Sequence, residues 1–375
     1  MHFELSEEQV LLRETIERFA IERCDPVQRR NYRTRTCGYA SENWRMLAEL
    51  GVLSLPFTTS DGGLGGGNVE LVTVMEGLGR ALALEPVLEE IVIAGGLIAR
   101  AGSPQQKEQW LPHIMSGSTH VAFAHLEHRT RFRLAGLSAR AHRSGGDYLL
   151  EGEKTVVLQG APGAAFIVSA SENAASHQSL GLYLVEADAP GIERRDLRLV
   201  DGSVACTLAL RGVRGEKLPG GLAELECAAD QARIAACAEM IGIMSRLLDA
   251  TLEHVRNREQ FGAPLGSLQV IQHMLAELYV SLEQSRSQLY RAALCNDSDP
   301  ERGRTIAGVK SYISAAALAL GEQCMHLHGG MGVSEELLIG DGHKRMMLLT
   351  TLFGDSDYEL GRYIQSALDQ RGVHG

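Results

Sequence analysis

The segment from Arg256 to Gln269 contains the residues best suited to binding a ligand. Arg258 has a fixed positive charge and forked N–H donors that suit a phosphate or diphosphate group. Phe261 adds a flat apolar face, and the turn after it, rich in Gly and Pro, leads into a new helix whose first N–H groups attract anions. The segment therefore indicates a phosphate-bearing ligand. The alternative interpretation of Arg258 is a surface ion pair.

Three stretches of the chain differ in the spacing of their apolar residues. In the first they recur at helical intervals, and Ser6 is placed to begin the opening helix. In the second, short apolar runs such as residues 148–150, 155–158 and 165–168 lie between turns containing Gly and Pro, which predicts strands. In the third, helical patterns return at residues 228–256, 268–295 and 304–328. We predict an α+β chain with a helical domain at 1–118, a β-domain at 119–224 and a helical bundle at 225–375.

The composition excludes several classes of protein. A net charge of -11 argues against a nucleic-acid partner, because such proteins carry clustered and dominant cations. The seven cysteines lack Cys-x-x-Cys spacing and are typical of a reduced, cytoplasmic protein, and we expect no metal site. No run approaches the ~20 apolar residues that span a bilayer, and the N-terminus has no signal or transit character. We therefore expect no membrane partner.

Four motifs in the same order along the chain resemble those of one family. They are DGGLGGG at residues 61–67, QKEQWLP at 106–112, the segment 256–269 and GGMG at 329–332. Together they resemble the acyl-CoA dehydrogenase family over almost the whole chain. The resemblance implies an N-terminal helical domain, a middle β-domain and a C-terminal helical bundle that pairs across a dimer.

The resemblance also implies FAD as cofactor. The residues that match the family's contacts to the diphosphate and adenosine end of FAD, in a neighbouring subunit, are Arg258, Phe261, Gln269, Gly329 and Gly330. At His326 the family usually has a glutamine that reaches the nucleotide. Histidine can still donate a hydrogen bond there, although a packed histidine is the alternative.

In this family an acyl-CoA thioester is desaturated between its α and β carbons. A base removes the α proton, and FAD accepts the β hydride because no amino-acid side chain can. Asp230 and Arg233 match the family's CoA-contacting residues, although Asp230 could equally cap a helix. The family also implies an electron-transferring flavoprotein as the electron acceptor.

Two positions depart from the family on the ring side of the flavin. Residues 126–128 read LEH where the family has Thr-Glu-Pro, so Leu126 replaces a threonine. Residues 156–160 read VVLQG where many members have Trp-x-Thr-Asn-Gly, so Leu158 replaces the hydroxyl beside flavin N5. Both departures remove contacts that a redox-tuned flavin would use.

The catalytic base is missing from both places where the family has it. Most members have Tyr-Glu-Gly-Thr near the C-terminus, and the corresponding stretch here, LFGDSDY at residues 352–358, has no glutamate. A minority have the glutamate at the position of Ala232. Asp355 lies next to the expected position and could act as base in a dry pocket, or could turn or cap the chain before the last helix.

Within the family, LFGD at 352–355 together with LSLPF at 53–57 most resembles the small subunit of pimeloyl-CoA dehydrogenase and related heteromeric bacterial enzymes. The leading hypothesis is a dehydrogenase subunit whose homologous partner carries the glutamate. The alternatives are a self-sufficient homo-oligomer using Asp355 and a non-catalytic acyl-CoA-binding protein that has lost flavin.

Overall fold

The structure is a computed structural model that describes residues 5–160, 163–172, 179–296, 298–334 and 337–370. The chain divides into two compact units. The first comprises Met1–Pro26, Asn68–Ala83 and Arg233–Gly375, and the second comprises Val27–Gly67 and Leu84–Ala232. The first four and last five residues, with which the predicted domains 1–118 and 225–375 begin and end, lie outside the described residues.

Along the chain, one set of helices precedes a run of strands and a second set follows it. The α-helices are α1 (Glu7–Arg23), α2 (Pro26–Arg33), α3 (Ser41–Glu49), α4 (Asn68–Ala81), α5 (Gly96–Ala101), α6 (Pro104–Met115), α7 (Leu222–Asn257), α8 (Gln269–Ala293), α9 (Arg302–His328), α10 (Leu338–Thr351) and α11 (Ser356–Gln370). A π-helix spans Val87–Gly95, and 3-10 turns span Thr59–Asp61, Leu265–Ser267 and Gly329–Val333. The main-sheet strands are β1 (Val121–Ala124), β2 (Arg140–Ser144), β3 (Asp147–Leu158), β4 (Ala165–Ser171), β5 (Leu180–Glu186), β6 (Ile192–Arg198) and β7 (Val204–Lys217). The predicted order of helical, β and helical segments is confirmed.

The predicted start of the first helix is also confirmed. Ser6 Oγ accepts a bond from the Gln9 backbone N–H at 3.2 Å, and Gln9 Oε1 accepts one from the Ser6 backbone N–H at 2.9 Å. This reciprocal capping box satisfies two N–H groups that the first turn would otherwise leave free.

In the first unit, α4 and α7 cross at a pair of glycines. A Cβ atom on Gly79 would lie 2.1 Å from the Glu239 carbonyl oxygen, and one on Gly242 would lie 2.0 Å from the Glu76 carbonyl oxygen. Both distances are far below van der Waals contact. The two backbones therefore approach this closely only because neither residue has a side chain.

In the second unit, the strands form a sheet in the order β1-β4-β2-β3-β7-β5, with β6 beside β7. β5 also pairs with β4, so the strands from β4 to β5 close into a ring. The interior is apolar and includes Val157, Phe166 and Tyr183, all with no exposed surface. Burial of these side chains stabilises the β-segment.

Candidate functional site

The segment after α7 forms a short hairpin, which we call the arm (residues 258–264). Its strands are β8 (Glu259–Gln260) and β9 (Ala263–Pro264), and the Leu265 N–H donates to the Arg258 carbonyl at 2.8 Å. At the tip, Phe261 has φ 57° and is 91% exposed. A ring this exposed is disfavoured in water, so it gains free energy when a ligand or another chain covers it.

The predicted helix after the arm begins at Gln269, which is exposed. Leu268 in the cap position makes no side-chain capping bond. The Ile271 and Gln272 N–H groups donate to the Leu268 carbonyl at 3.0 and 3.1 Å, so in this turn the N–H groups of Gln269 and Val270 are the ones left for an anion.

The end of α9 forms the predicted glycine turn. Gly329 has φ 60°, and apart from the chain neighbours no atom of the described residues lies within 4 Å of where a Cβ would stand on Gly329 or Gly330. The turn thus leaves space for a ligand to approach the backbone. His326, one helical turn earlier, is exposed rather than packed in the core.

A pair of stacked histidines joins the last turn of α7, just before the arm, to the end of α9, just before this turn. His254 precedes Arg258 by one helical turn, and its carbonyl accepts the Arg258 backbone N–H at 2.8 Å. His328 directly precedes Gly329. The two imidazole centroids are 4.2 Å apart with an interplanar angle of 23°. The contact brings together two segments that the sequence assigns to one cofactor, and the sequence prediction missed both histidines.

The ring-side positions Leu126 and Leu158 are half-buried and aliphatic. The Thr155 backbone N–H donates to the Leu126 carbonyl at 2.9 Å, which fixes the segment after β1 against β3. Beyond Leu158, Gln159 has φ 54° and is buried, and its Oε1 atom has no hydrogen-bond partner among the described residues. The side chains of Leu126 and Leu158 offer no donor to a bound ring.

A buried ion pair stabilises the same segment. Lys154 Nζ lies 2.8 Å from Glu127 Oε1 and also donates to the His125 carbonyl at 3.2 Å. Burial lowers the pKa of Lys154 to about 8, although Glu127 opposes the shift. Burial alone would raise the pKa of Glu127, but the charge of Lys154 and backbone N–H donors outweigh it and lower that pKa. The pair holds the residues around Leu126 in place, and the sequence prediction did not identify it.

The proposed CoA contacts Asp230 and Arg233 lie on α7. The helix begins at Leu222, so Asp230 lies in its interior and the interpretation of Asp230 as a helix cap is wrong. Arg233 is 1% exposed. Its Nε donates to Glu359 Oε1 at 2.9 Å and its Nη2 to the Phe353 carbonyl at 2.8 Å. Arg233 therefore fixes the loop before α11, and Glu359 is a buried acid that the sequence prediction missed.

Asp355 lies at the start of α11. Its Oδ1 accepts the Tyr358 backbone N–H at 2.9 Å, and its carbonyl accepts the Glu359 backbone N–H at 3.0 Å. These are the bonds of a helix cap, one of the two interpretations that the sequence leaves open. Gly354 beside it has φ 142°, and a Cβ there would lie 2.2 Å from Glu359 Oε1.

Glu359 has no exposed surface and is held by two arginines. Besides Arg233, Arg362 donates to its second oxygen at 2.7 Å. Both carboxylate oxygens of Glu359 therefore accept charge-assisted hydrogen bonds from guanidinium groups. Glu359 is thus a structural partner of the loop.

Lys310 on α9 is completely buried. Its ammonium group donates to the carbonyls of Leu349 at 2.8 Å and Thr350 at 3.1 Å, where α10 ends. Burial lowers its pKa to about 8. The side chain thus adds a donor to two carbonyls in the last turn of α10, of which the Leu349 carbonyl also accepts the Leu352 backbone N–H at 3.2 Å.

The described residues contain no group of three or more His, Cys, Asp or Glu side chains arranged to hold a metal ion. Within the same residues, no helix combines the length and apolar character needed to cross a membrane.

Two stretches of the chain match known protein families. Residues 6–118 match the family described as acyl-CoA dehydrogenase, N-terminal domain, and residues 220–368 match the one described as acyl-CoA dehydrogenase, C-terminal domain. The probable acyl-CoA dehydrogenase YngJ of Bacillus subtilis is 26% identical, over 97% of this chain and 98% of that protein.

Solved structures share the fold over nearly the full length. The ChsE4-ChsE5 complex from Mycobacterium tuberculosis is 27% identical with a TM-score of 0.90, covering 98% of this chain and 99% of that one. A glutaryl-CoA dehydrogenase from Mycobacterium smegmatis in complex with FADH2 is 24% identical with a TM-score of 0.89, covering 97% and 95%. The second likeness concerns the fold alone.

Proposed function

Because this chain belongs to the acyl-CoA dehydrogenase family, we propose that it works in the α,β-desaturation of an acyl-CoA thioester with FAD. We propose further that it is one subunit of a heteromer whose homologous partner supplies the catalytic glutamate. An electron-transferring flavoprotein would then accept the electrons.

The phosphate and adenosine half of FAD fits the residues of the first unit. Arg258 offers forked donors, the Gly329–Gly330 turn is open to backbone approach, and Phe261 presents an exposed aromatic face. When bound, FAD supplies the hydride acceptor that side chains lack. The role of Arg258, Gln269 and the glycine turn would be to hold and orient the cofactor, and His326, exposed one helical turn before Gly329, would add a further donor.

The observation that carries the heteromer proposal is the hydrogen bonding of the acids in and next to the loop at residues 352–358. Its aspartate Asp355 caps α11, and the nearby buried acid Glu359 is bonded to two arginines. Proton abstraction needs a carboxylate within hydrogen-bond reach of the α carbon and free to accept the proton. A partner subunit with its own glutamate would provide one, and the ChsE4-ChsE5 complex is a structural relative composed of two chains.

A non-catalytic acyl-CoA-binding protein is the second candidate. It is favoured by the aliphatic side chains at Leu126 and Leu158, which give a bound flavin ring no side-chain hydrogen bond. The colour of the purified protein separates the two, because a bound flavin is yellow. A colourless protein, both alone and with its homologue, would favour the binding protein.

The test of the heteromer proposal is steady-state dehydrogenation by the purified chain, alone and co-expressed with a glutamate-bearing homologue. Short-chain, long-chain and dicarboxylic acyl-CoA substrates should all turn over poorly with the single chain, and one of them should turn over well with the pair. The Asp355→Asn variant keeps the shape of the side chain but cannot take the proton. Asp357→Asn, on the exposed neighbour, is the matched control.

Robust activity of the single chain that disappears in Asp355→Asn and persists in Asp357→Asn would contradict the heteromer proposal and make Asp355 the base. Equal activity of Asp355→Asn and Asp357→Asn in the heteromer would support the heteromer proposal.

A further inference from the structure

We propose that His254 and His328 form, with Arg258, a proton-dependent anion site that binds the diphosphate of FAD. This inference rests on the proposed function, since it assigns two further residues to the same cofactor. It predicts that the chain holds FAD more tightly as the pH falls, because a protonated imidazole pair attracts an anion that a neutral pair does not.

The position of the pair is the first observation. His254 lies one turn before Arg258, and His328 is the last residue before Gly329. The stack with centroids 4.2 Å apart therefore joins the last turn of α7, which leads into the arm, to the end of α9, which leads into the glycine turn. A ligand contacting Arg258 and the open backbone at Gly329 would have these rings beside it.

The hydrogen bonding of His328 is the second observation. Its Nδ1 lies 2.9 Å from the Cys324 carbonyl oxygen, which can only accept. Nδ1 therefore carries the proton, and Nε2 of the neutral ring is an acceptor. A phosphate oxygen is also an acceptor, so His328 can bind one through Nε2 only after this ring takes up a second proton.

The charges around the pair are the third observation. Burial, the neighbouring His328 and the Arg258 cation, in that order, lower the pKa of His254. The Cys324 thiol next to the carbonyl partner of His328 stays neutral, because burial raises its pKa to about 11. Without an anion, protonation of His254 is thus disfavoured, and the negative charge of a diphosphate would oppose this effect. Binding of the diphosphate and protonation of the pair therefore favour each other.

The experiment measures FAD retention by the full chain, purified in the assembly that it forms with its homologue. Protein and free FAD are separated by ultrafiltration from about pH 5.5 to about pH 8.5, and the dissociation constant is obtained from flavin absorbance. The variants are His254→Phe and His328→Phe, which keep an aromatic ring in the stack but cannot be protonated, and the double variant. His142→Phe, at an exposed position on β2, is the control. ADP, added as competitor, tests whether the diphosphate end is the part recognised.

In the wild type and in His142→Phe, the dissociation constant should fall about tenfold from the alkaline to the acid end, since one charge-assisted bond changes binding by at least this factor. In the double variant it should change less than about twofold. Thermal stability of the flavin-free double variant should equal that of the wild type, which separates a binding role from a packing role.

Retention in the wild type that does not vary with pH would overturn this inference and leave the proposed function standing. A double variant with the full pH dependence of the wild type would do the same. Failure of the wild type to bind FAD at every pH would overturn the proposed function together with the inference.

Discussion

At the scale of single residues, Arg258 can be compared with a near neighbour of the same type. Arg256 and Arg258 are both exposed, but only Arg258 begins the arm. We expect Arg258→Ala to lower flavin retention, because a charge-assisted bond to phosphate is worth ~1.5 to 3 kcal/mol. Arg256→Ala should change it little. The measurement is flavin absorbance per chain after gel filtration, and equal flavin content in both variants would remove Arg258 from the site.

Gly354 and Gly361 provide a second comparison. Gly354 has φ 142°, and a Cβ on it would lie 2.2 Å from Glu359 Oε1. A Cβ on Gly361 of α11 would have, beyond its own helix backbone, no atom of the described residues within 4 Å. Gly354→Ala should therefore destabilise the chain by roughly 1 to 3 kcal/mol through backbone strain and contact with the buried acid. Gly361→Ala should stabilise the chain by about 0.5 to 1 kcal/mol, as in other helix interiors. Denaturant unfolding measures both, and a stable Gly354→Ala variant would show that the loop can move.

At the scale of helices and strands, Lys310 joins α9 to the end of α10. Its pKa in the folded chain is about 8, below its ordinary 10.5. Between these values the unfolded chain binds more protons than the folded chain, so stability conferred by this residue rises with pH. Relative to Lys310→Met, the wild type should gain up to about 3 kcal/mol of unfolding free energy across this window. Below about pH 8 the difference should stay constant. A difference that is constant throughout would contradict burial of the charged group.

The sequence predicts the helices and strands better than the contacts between them. The pattern at 228–256 corresponds to α7, and Ser6 caps α1 as expected, because capping and apolar spacing are local signals. Two strand-sized runs, at 148–150 and 155–158, are instead one strand, β3, with bulges. The fold also agrees with the family resemblance, which rests on motifs rather than on patterning.

The candidate site could be predicted from sequence only in part. Arg258 and the glycine turn are visible as motifs, whereas the His254–His328 stack and the bonds of Glu359 join residues far apart in the chain. No local pattern encodes such pairs. The sequence left the role of Asp355 open for the same reason. An aspartate can be a helix cap or a base, and the two roles differ in the hydrogen-bond partners of the carboxylate, which only the structure gives.

At the scale of the whole molecule, substitution of Phe261 tests whether the arm takes part in association with another chain. It is 91% exposed, so its ring contributes little packing within the chain. Phe261→Ser should leave the stability of the isolated chain within about 0.5 kcal/mol of the wild type. It should nevertheless reduce flavin content and association with a homologue, because the covered apolar face is lost. Val200→Ser, at another exposed apolar residue, is the control. Analytical ultracentrifugation and flavin absorbance give the answer, and unchanged assembly would leave the arm without that role.

Cleavage by a protease at or next to the arm would also distinguish a chain that is alone from one that has bound a cofactor and a neighbour. Two exposed arginines, Arg256 and Arg258, are typical trypsin sites, and the adjoining hairpin holds only two short strands. A chain that is alone offers these peptide bonds to the enzyme, whereas a chain whose arm is covered by a cofactor and a neighbour shields them. In a cell, copies of the chain with an uncovered arm would then be nicked and removed first, so the exposure of this hairpin would limit their lifetime.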